Sequence, residues 1–287
     1  MDLFISLFFR ARRTMEIEDT ATKRARERGG SGRSASDADR LSALPDSLLH
    51  TVMSFLKARQ AVQTCVLATR WRHLWRSMPC LDVDHEEFCR TGAASSKDRA
   101  KQEWEDFEDF TSNLMHRCNV ALLESLSLRV THSRAPGFHR HKQAGGWLRR
   151  AMKYCTPDLP RQHADGLSSS SWRLKRLHLC NMALDARFGN HVRSACRSLE
   201  DLELEDCTCA FQAITSGSLK SLVLKNCWWN YLTEITSPTL KRLVVAGGSN
   251  NAPCVVVAPA IAHLCLDVPL YFARSISVNR MPSLPRL

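Results

Sequence analysis

A six-residue phrase, Leu-x-x-Leu-x-Leu, recurs through this 287-residue chain at a near-constant interval, and few folds are compatible with it. It stands at Leu123, Leu126, Leu128, then Leu174, Leu177, Leu179, then Leu199, Leu202, Leu204, then Leu219, Leu222, Leu224. A variant follows at Leu240, Leu243, Val245 and a weaker one at Ile261, Leu264, Leu266. The starts at 174, 199, 219, 240 and 261 are 25, 20, 21 and 21 residues apart, and the 51 residues from 123 to 174 hold about two such units. The last two apolar positions of each phrase alternate, so both point to one side of a short strand. One unit alone cannot bury its leucines. Stacked units bury them in a continuous ladder and form a curved parallel sheet, with the intervening strand residues facing outward on the concave side.

The residues before the repeats divide into unlike pieces. Residues 1–38 read as a disordered tail: 15–38 are polar and Gly/Ser-rich, with Lys23-Arg24-Ala25-Arg26-Glu27-Arg28, a composition that cannot bury a core. That basic run reads either as a nuclear-import signal or as a solvated tail. Met15 is an alternative start to Met1. Residues 39–83 change character. Leu44-Pro45-Asp46 marks a helix start. Leu48, Leu49, Val52, Met53, Phe55 and Leu56 then cover one helical face, Ala61, Val62, Cys65, Val66 and Leu67 a second, and Trp71, Leu74 and Trp75 a third, closed by Pro79. Three helices in about forty residues leave large side chains exposed, which is how a partner surface is built. Residues 84–122 read as a linker, 84–103, and a packing helix carrying Trp104, Phe107, Phe110, Leu114 and Cys118. Within 123–287, the repeat region, Trp147 to Met152 read as a helix and Leu167 to Ser171 as an insertion.

Composition narrows the function classes. The net charge is +11, but the positive residues do not gather on one helix or stripe, so nucleic-acid binding ranks last. No apolar run approaches the ~20 residues of a membrane helix. At the N-terminus Asp2 precedes the apolar stretch and Arg10, Arg12 and Arg13 follow it, the reverse of a secretory signal. The twelve cysteines therefore read as thiols in the cytoplasm and/or nucleus.

Residues 39–83 resemble an F-box. The matching text is Asp39-Arg40-Leu41-Ser42-Ala43-Leu44-Pro45-Asp46-Ser47-Leu48-Leu49, Ser54-Phe55-Leu56, Ala61 to Leu67, and Arg70-Trp71-Arg72-His73-Leu74-Trp75. With the repeats, the chain is similar to the plant F-box/LRR proteins that often end in an FBD segment, here missing or truncated. Two positions depart from that family: Lys57 stands where proline is common, and Ala68-Thr69 replaces a common Ser-Arg/Lys. The resemblance implies an α/β protein, a small three-helix F-box followed by a leucine-rich-repeat solenoid. It implies the substrate-recognition subunit of a Skp–cullin–F-box ubiquitin ligase, itself non-catalytic, with a Skp-type adaptor and through it a cullin as partners. The other reading is a repeat scaffold without a ligase. Carried over by position, Leu44, Pro45, Leu48, Leu49, Val62, Val66 and Leu67 contact the adaptor or support that contact, while Trp71 and Trp75 are core or contact.

For the target, the concave positions Arg176, His178, Asp201, Glu203, Glu205, Lys225 and Arg242, edged by Trp228 and Trp229, form a mixed-charge stripe. It reads either as a recognition surface or as a solvated sheet with salt bridges between rungs. Cys207-Thr208-Cys209 with Cys227 lacks zinc spacing; Cys207 and Cys227 instead fall where such a repeat turns a small side chain inward. His132, His139 and His141 are scattered, no phosphate loop occurs, and the sequence points to no catalytic residue, metal or cofactor.

Overall fold

Periodicity in the sequence becomes stacked rungs in the structure, a computed structural model that describes residues 44–67, 69–89, 97–131, 147, 174–194, 196–229, 231–250 and 252–279. Contacts divide the chain into Met1–Pro45 and Asp46–Leu287, and the second unit holds the elements below. It opens with α1 (Asp46–Met53), α2 (Ala58–Gln63) and α3 (Trp71–Leu74), the last two prolonged by 3-10 turns at Thr64–Val66 and Trp75–Ser77. β1 (Cys80–Asp84), α4 (Lys97–Arg117) and β2 (Ser125–Arg129) follow. The next rung contains β3 (Arg176–Cys180), β4 (Ala183–Leu184) and α5 (Ala186–Ser194). Two rungs repeat strand, strand, strand: β5 (Asp201–Glu205), β6 (Thr208–Cys209), β7 (Ala213–Thr215), then β8 (Ser221–Lys225), β9 (Trp228–Trp229), β10 (Glu234–Thr236). A third does the same with β11 (Arg242–Ala246), β12 (Ser249–Asn250) and β13 (Cys254–Val257). The last described rung has β14 (His263–Asp267), α6 (Leu270–Ala273) and β15 (Ile276–Asn279).

These strands stack into three parallel sheets. The large one runs β1-β2-β3-β5-β8-β11-β14, and two smaller ones run β4-β6-β9-β12 and β7-β10-β13-β15. The register is uniform: Leu126, Leu177, Leu202, Leu222, Leu243 and Leu264 are successive partners. From Leu126 to Leu243 these side chains are buried. The smaller sheets add their own inward columns, Leu184, Cys209 and Trp229 in one and Ile214, Ile235 and Val256 in the other. Hydroxyls just ahead of two of the phrases tie rung to rung: Ser218 Oγ donates to the Leu199 carbonyl at 2.8 Å and Thr239 Oγ1 to the Leu219 carbonyl at 2.9 Å.

Four successive rungs turn the first corner the same way. The residue after the large-sheet strand has positive φ in Asn181 (65°), Asp206 (51°), Asn226 (50°) and Gly247 (64°). Asn, Asp and Gly are the residues that accept this left-handed conformation. The following residue, Met182, Cys207, Cys227 or Gly248, then turns toward the neighbouring rung. Gly248 (φ 79°) has no room for a side chain: a Cβ there would lie 2.2 Å from the Cys227 carbonyl oxygen.

The helical module is fused to the sheet. Leu49, Met53, Ala58, Ala61, Val62, Trp71, Leu74 and Trp75 are its core. The Pro79 carbonyl accepts from the Glu124 and Ser125 amides, and the Arg76 carbonyl from Asn119. Lys57 caps α2 with φ −63° and ψ 153°, values that proline also adopts. Its ammonium meets the buried Asp84 carboxylate at 2.5 Å, and Arg129 approaches the same oxygen at 3.9 Å. Thus α2 is tied to the end of β1. Beside it, burial pushes the Glu87 carboxyl up to about 7, against the opposing pull of Lys57 and Arg59.

Two boundaries differ from the sequence reading. The sheet begins at Cys80, ahead of the first phrase at 123, because Leu81 and Val83 already alternate inward beside Leu126 and Leu128. The packing helix starts at Lys97 within the expected linker, since Ala100 and Glu103 extend the buried face of Trp104, Phe107 and Leu114 backward. Trp147 is helical and buried, and donates to Ser112 Oγ at 3.0 Å. Residues 1–43, the rest of the 147–152 segment and the 167–171 insertion lie outside the described residues.

Gly248→Ala should lower stability by about 2 kcal/mol through left-handed strain and the carbonyl clash, whereas Gly217→Ala, with nothing within 4 Å, should be neutral. Thermal melts of the two variants check this; equal losses would refute it. Glu87 has a folded pKa above its unfolded value, so its favourable contribution is complete below about pH 4.5 and fades as pH rises through about 7. Glu87→Gln should therefore raise the melting temperature by about 2–4 °C at pH 8 and change little at pH 4; a gain confined to acid would contradict the assignment.

Candidate functional site

Two surfaces collect the residues singled out in the sequence. On the helical module, α1 turns Leu49 and Met53 inward and leaves Leu48 (50% exposed) and Val52 (46%) outside, with Phe55 (85%) just beyond its end. Positions 48, 52 and 55 follow helical spacing, so they form one stripe. The 3-10 turn after α2 exposes Val66 (52%) and Leu67 (66%). Leu49, Val62, Trp71 and Trp75 are buried, so they support this surface from within and do not present themselves on it. The Trp75 indole donates to the Arg72 carbonyl at 3.0 Å, and Arg70 pairs with Asp46. Leu44 is half-buried and Pro45 exposed, both in the first unit. Val52 and Phe55 were legible as members of the helical face, but only the fold separates that face into an inner and an outer half.

The second surface is the outer face of the large sheet. Arg176, Asp201 and Arg242 are exposed there, while His178, Glu203, Glu205 and Lys225 are half-buried. The half-buried four pair with one another across rungs. Lys225 Nζ donates to Glu203 Oε1 at 2.6 Å, and His178 Nε2 lies 3.4 Å from Glu205 Oε2. Burial pushes the Glu203 carboxyl up, but the Lys225 hydrogen bond and the nearby His178 and Arg242 outweigh it and hold it below the usual range. The Glu203 hydrogen bond in turn raises Lys225. Much of the stripe is therefore inter-rung pairing, and Arg176, Asp201 and Arg242 make no salt bridge among the described residues. Further along the same face, the middle positions of the strands change from Ser127, His178 and Glu203 to Val223, Val244 and Cys265. Trp228 and Trp229 do not edge this face. They form β9 of a smaller sheet, where Trp228 is exposed and Trp229 is core, its ring 5.4 Å from Phe272. The sequence placed both on the edge because the second corner of each rung carries no leucine to mark it.

Cys207 and Cys227 fasten rung to rung. Cys207 Sγ donates to the Leu179 carbonyl at 3.4 Å and Cys227 Sγ to the Leu204 carbonyl at 3.3 Å, each a bond to the preceding rung. The neighbouring Cys227 sulfur and burial push the Cys207 and Cys209 thiols well up, so both stay protonated. Among the described residues one trio, His178, Glu203 and Glu205, brings donor atoms within 4.8 Å of one another. His132, His139 and His141 lie outside the described residues.

Residues 41–82 match the F-box domain family. Residues 148–264 match the family described as FBD-associated F-box protein At5g56370, LRR repeats. A rice (Oryza sativa subsp. japonica) protein named MEIOTIC F-BOX protein MOF is 35% identical over 65% of this chain and 40% of its own length. An Arabidopsis thaliana F-box/FBD/LRR-repeat protein, At5g56420, is 28% identical over 80% of this chain and 60% of its own length. An Arabidopsis thaliana F-box/LRR-repeat protein, At5g02910, is 26% identical over 79% and 52%. The chain thus spans between two fifths and three fifths of the length of these relatives.

Lys225→Met should cost about 0.5–1 kcal/mol at pH 7, the range for an accessible pair. Because the folded pKa of Glu203 is depressed, that stability is present above the ordinary carboxylate range and lost as pH falls through the depressed value. Melts of both proteins should converge once the pH is well below the ordinary carboxylate range; a difference that persists undiminished in acid would show that Lys225 acts through packing alone.

Proposed function

We propose that this chain, which carries an F-box followed by leucine-rich repeats, is the target-recognition subunit of a Skp–cullin–F-box ubiquitin ligase. The observation that carries the reading is the unpartnered apolar stripe Leu48, Val52, Phe55, Val66 and Leu67 on the segment matching the F-box. A single large apolar side chain gains about 1.5–3 kcal/mol on full burial. Five of them half to fully exposed beside a formed core are placed to be covered by another protein. F-box domains bind Skp-type adaptors, and a cullin joins through the adaptor. The chain itself contributes proximity and orientation, and no bond-making step is assigned to it. On the outer face of the large sheet, Arg176, Asp201 and Arg242 are the charged groups available to a target protein, with Val223 and Val244 as its apolar neighbours. The same reading places the protein in the cytoplasm and/or nucleus.

The test is binding of the purified chain to a purified plant Skp-type adaptor by calorimetry. Phe55→Asp and Leu48→Asp/Val52→Asp change only exposed positions, so they should weaken binding at least tenfold without shifting the melting temperature by more than about 2 °C. Absence of binding by the folded parent chain would leave a repeat scaffold that works outside a ligase.

A further inference from the structure

Three outward side chains on two neighbouring strands of the large sheet converge. His178 on β3 pairs in register with Glu203 on β5, and Glu205 follows two residues later on the same strand. Residues two apart on a strand share a face, so both carboxylates stand beside the imidazole. One nitrogen of His178 and one oxygen from each glutamate lie within 4.8 Å of one another. The pairing with Lys225 does not use all of these atoms. Lys225 holds Oε1 of Glu203 at 2.6 Å, and a carboxylate has a second oxygen. His178 is the group left unsatisfied. Its Nδ1 lies 3.4 Å from Ser127 Oγ. Its Nε2 is shielded from water and has no hydrogen-bond partner among the described residues, although Glu205 Oε2 is 3.4 Å away.

The chemistry of that gap selects an occupant. When the Nδ1 proton is directed at Ser127 Oγ, Nε2 carries a lone pair. A lone pair facing a carboxylate oxygen makes no hydrogen bond, so both atoms call for a positive centre between them. Imidazole nitrogen and carboxylate oxygen together are ligands for a first-row divalent ion such as zinc. With bonds of about 2.1 Å in tetrahedral geometry, neighbouring ligand atoms lie about 3.4 Å apart. His178 Nε2 and Glu205 Oε2 have that separation. Ser127 is placed to act as outer hydrogen bonds do around metal sites, fixing the tautomer and orientation of the ring.

We propose that His178, Glu203 and Glu205 form a binding site for a divalent transition-metal ion, zinc being the ion that this ligand set favours, and that the ion ties β3 to β5 on the outer face of the sheet. The opposing charge is the Lys225 ammonium on Glu203, which weakens the site relative to one without it. The proposal does not rest on the ligase reading. Its consequence for the outer face is electrostatic: a bound dication neutralises two carboxylates of the β5 rung and leaves Asp201 as its exposed acid.

The test uses the full chain, stripped with a chelator and kept reduced, and follows the ring nitrogens of His178 by long-range proton–nitrogen NMR during titration with Zn2+. The His178 signals are assigned by their loss in His178→Asn. The expected result is a saturable shift at Nε2. Glu203→Gln and Glu205→Gln keep the side-chain shape, and each should weaken the response at least about tenfold, with a metal-free melting temperature within a few degrees of the parent. Lys225→Met should strengthen it. Mg2+, which takes oxygen ligands in octahedral geometry, should leave Nε2 unmoved. A His178 ring that does not respond to Zn2+ overturns the proposal, whether or not the chain binds the ion through cysteines elsewhere. So does an equal response in the two glutamine variants. A shift with Mg2+ as large as with Zn2+ overturns it as well, since any cation would then be screening the acidic rung without using the imidazole.

Discussion

No rung of this molecule can hide its own leucines, and that dependence on a neighbour governs the rest. A five-residue strand with two inward apolar side chains exposes both unless another strand lies alongside. Stacking removes that exposure and pairs the backbone in the same movement, which is why Leu126, Leu177, Leu202, Leu222 and Leu243 are both ladder partners and core. The uniform register follows. A one-residue slip would send every leucine to the outer face. Secondary fastenings such as Ser218 on Leu199 and Cys207 on Leu179 then lock adjacent rungs at fixed points.

The same logic reaches into the helical module. β1 belongs to the sheet by its pairing and to the helices by Lys57, whose ammonium lies against a carboxylate almost wholly shielded from water. Without Lys57 the buried Asp84 charge would keep only Arg129 at 3.9 Å and the Glu86 amide, an expensive arrangement. The two parts therefore share a strand and an ion pair, and α2 is anchored to the large sheet.

The leucine phrase made the large sheet legible from β2 onward, because its period and its alternation are both carried by residues that must be buried; β1 carries no such phrase. The smaller sheets were not read, although their pattern is present: Phe211-Gln212-Ala213-Ile214-Thr215-Ser216 and Leu232-Thr233-Glu234-Ile235-Thr236-Ser237 are successive copies of one phrase. Strands of two or three residues are too short to show alternation, so only repetition reveals them. The apolar face of the helical module was also legible as a set, but sequence spacing cannot separate Leu49 from Leu48 when the helix is packed on one side and open on the other. The charged stripe was found at the right positions with its partners unassigned. Pairing between Glu203 and Lys225 depends on which strand follows which, and that became definite only once the rungs were stacked.

Parallel stacking at a constant register gives the molecule a graduated scale. Neighbouring strands lie about 4.8 Å apart, so each rung shifts the next set of outward side chains by one fixed increment from the helices at the far end. Gaining or losing a rung would leave every local contact type intact and move whatever is held beyond it by that increment. Distance from the helical module along the sheet is thus counted in whole rungs, and a chain with more rungs carries its outer face further from its helices.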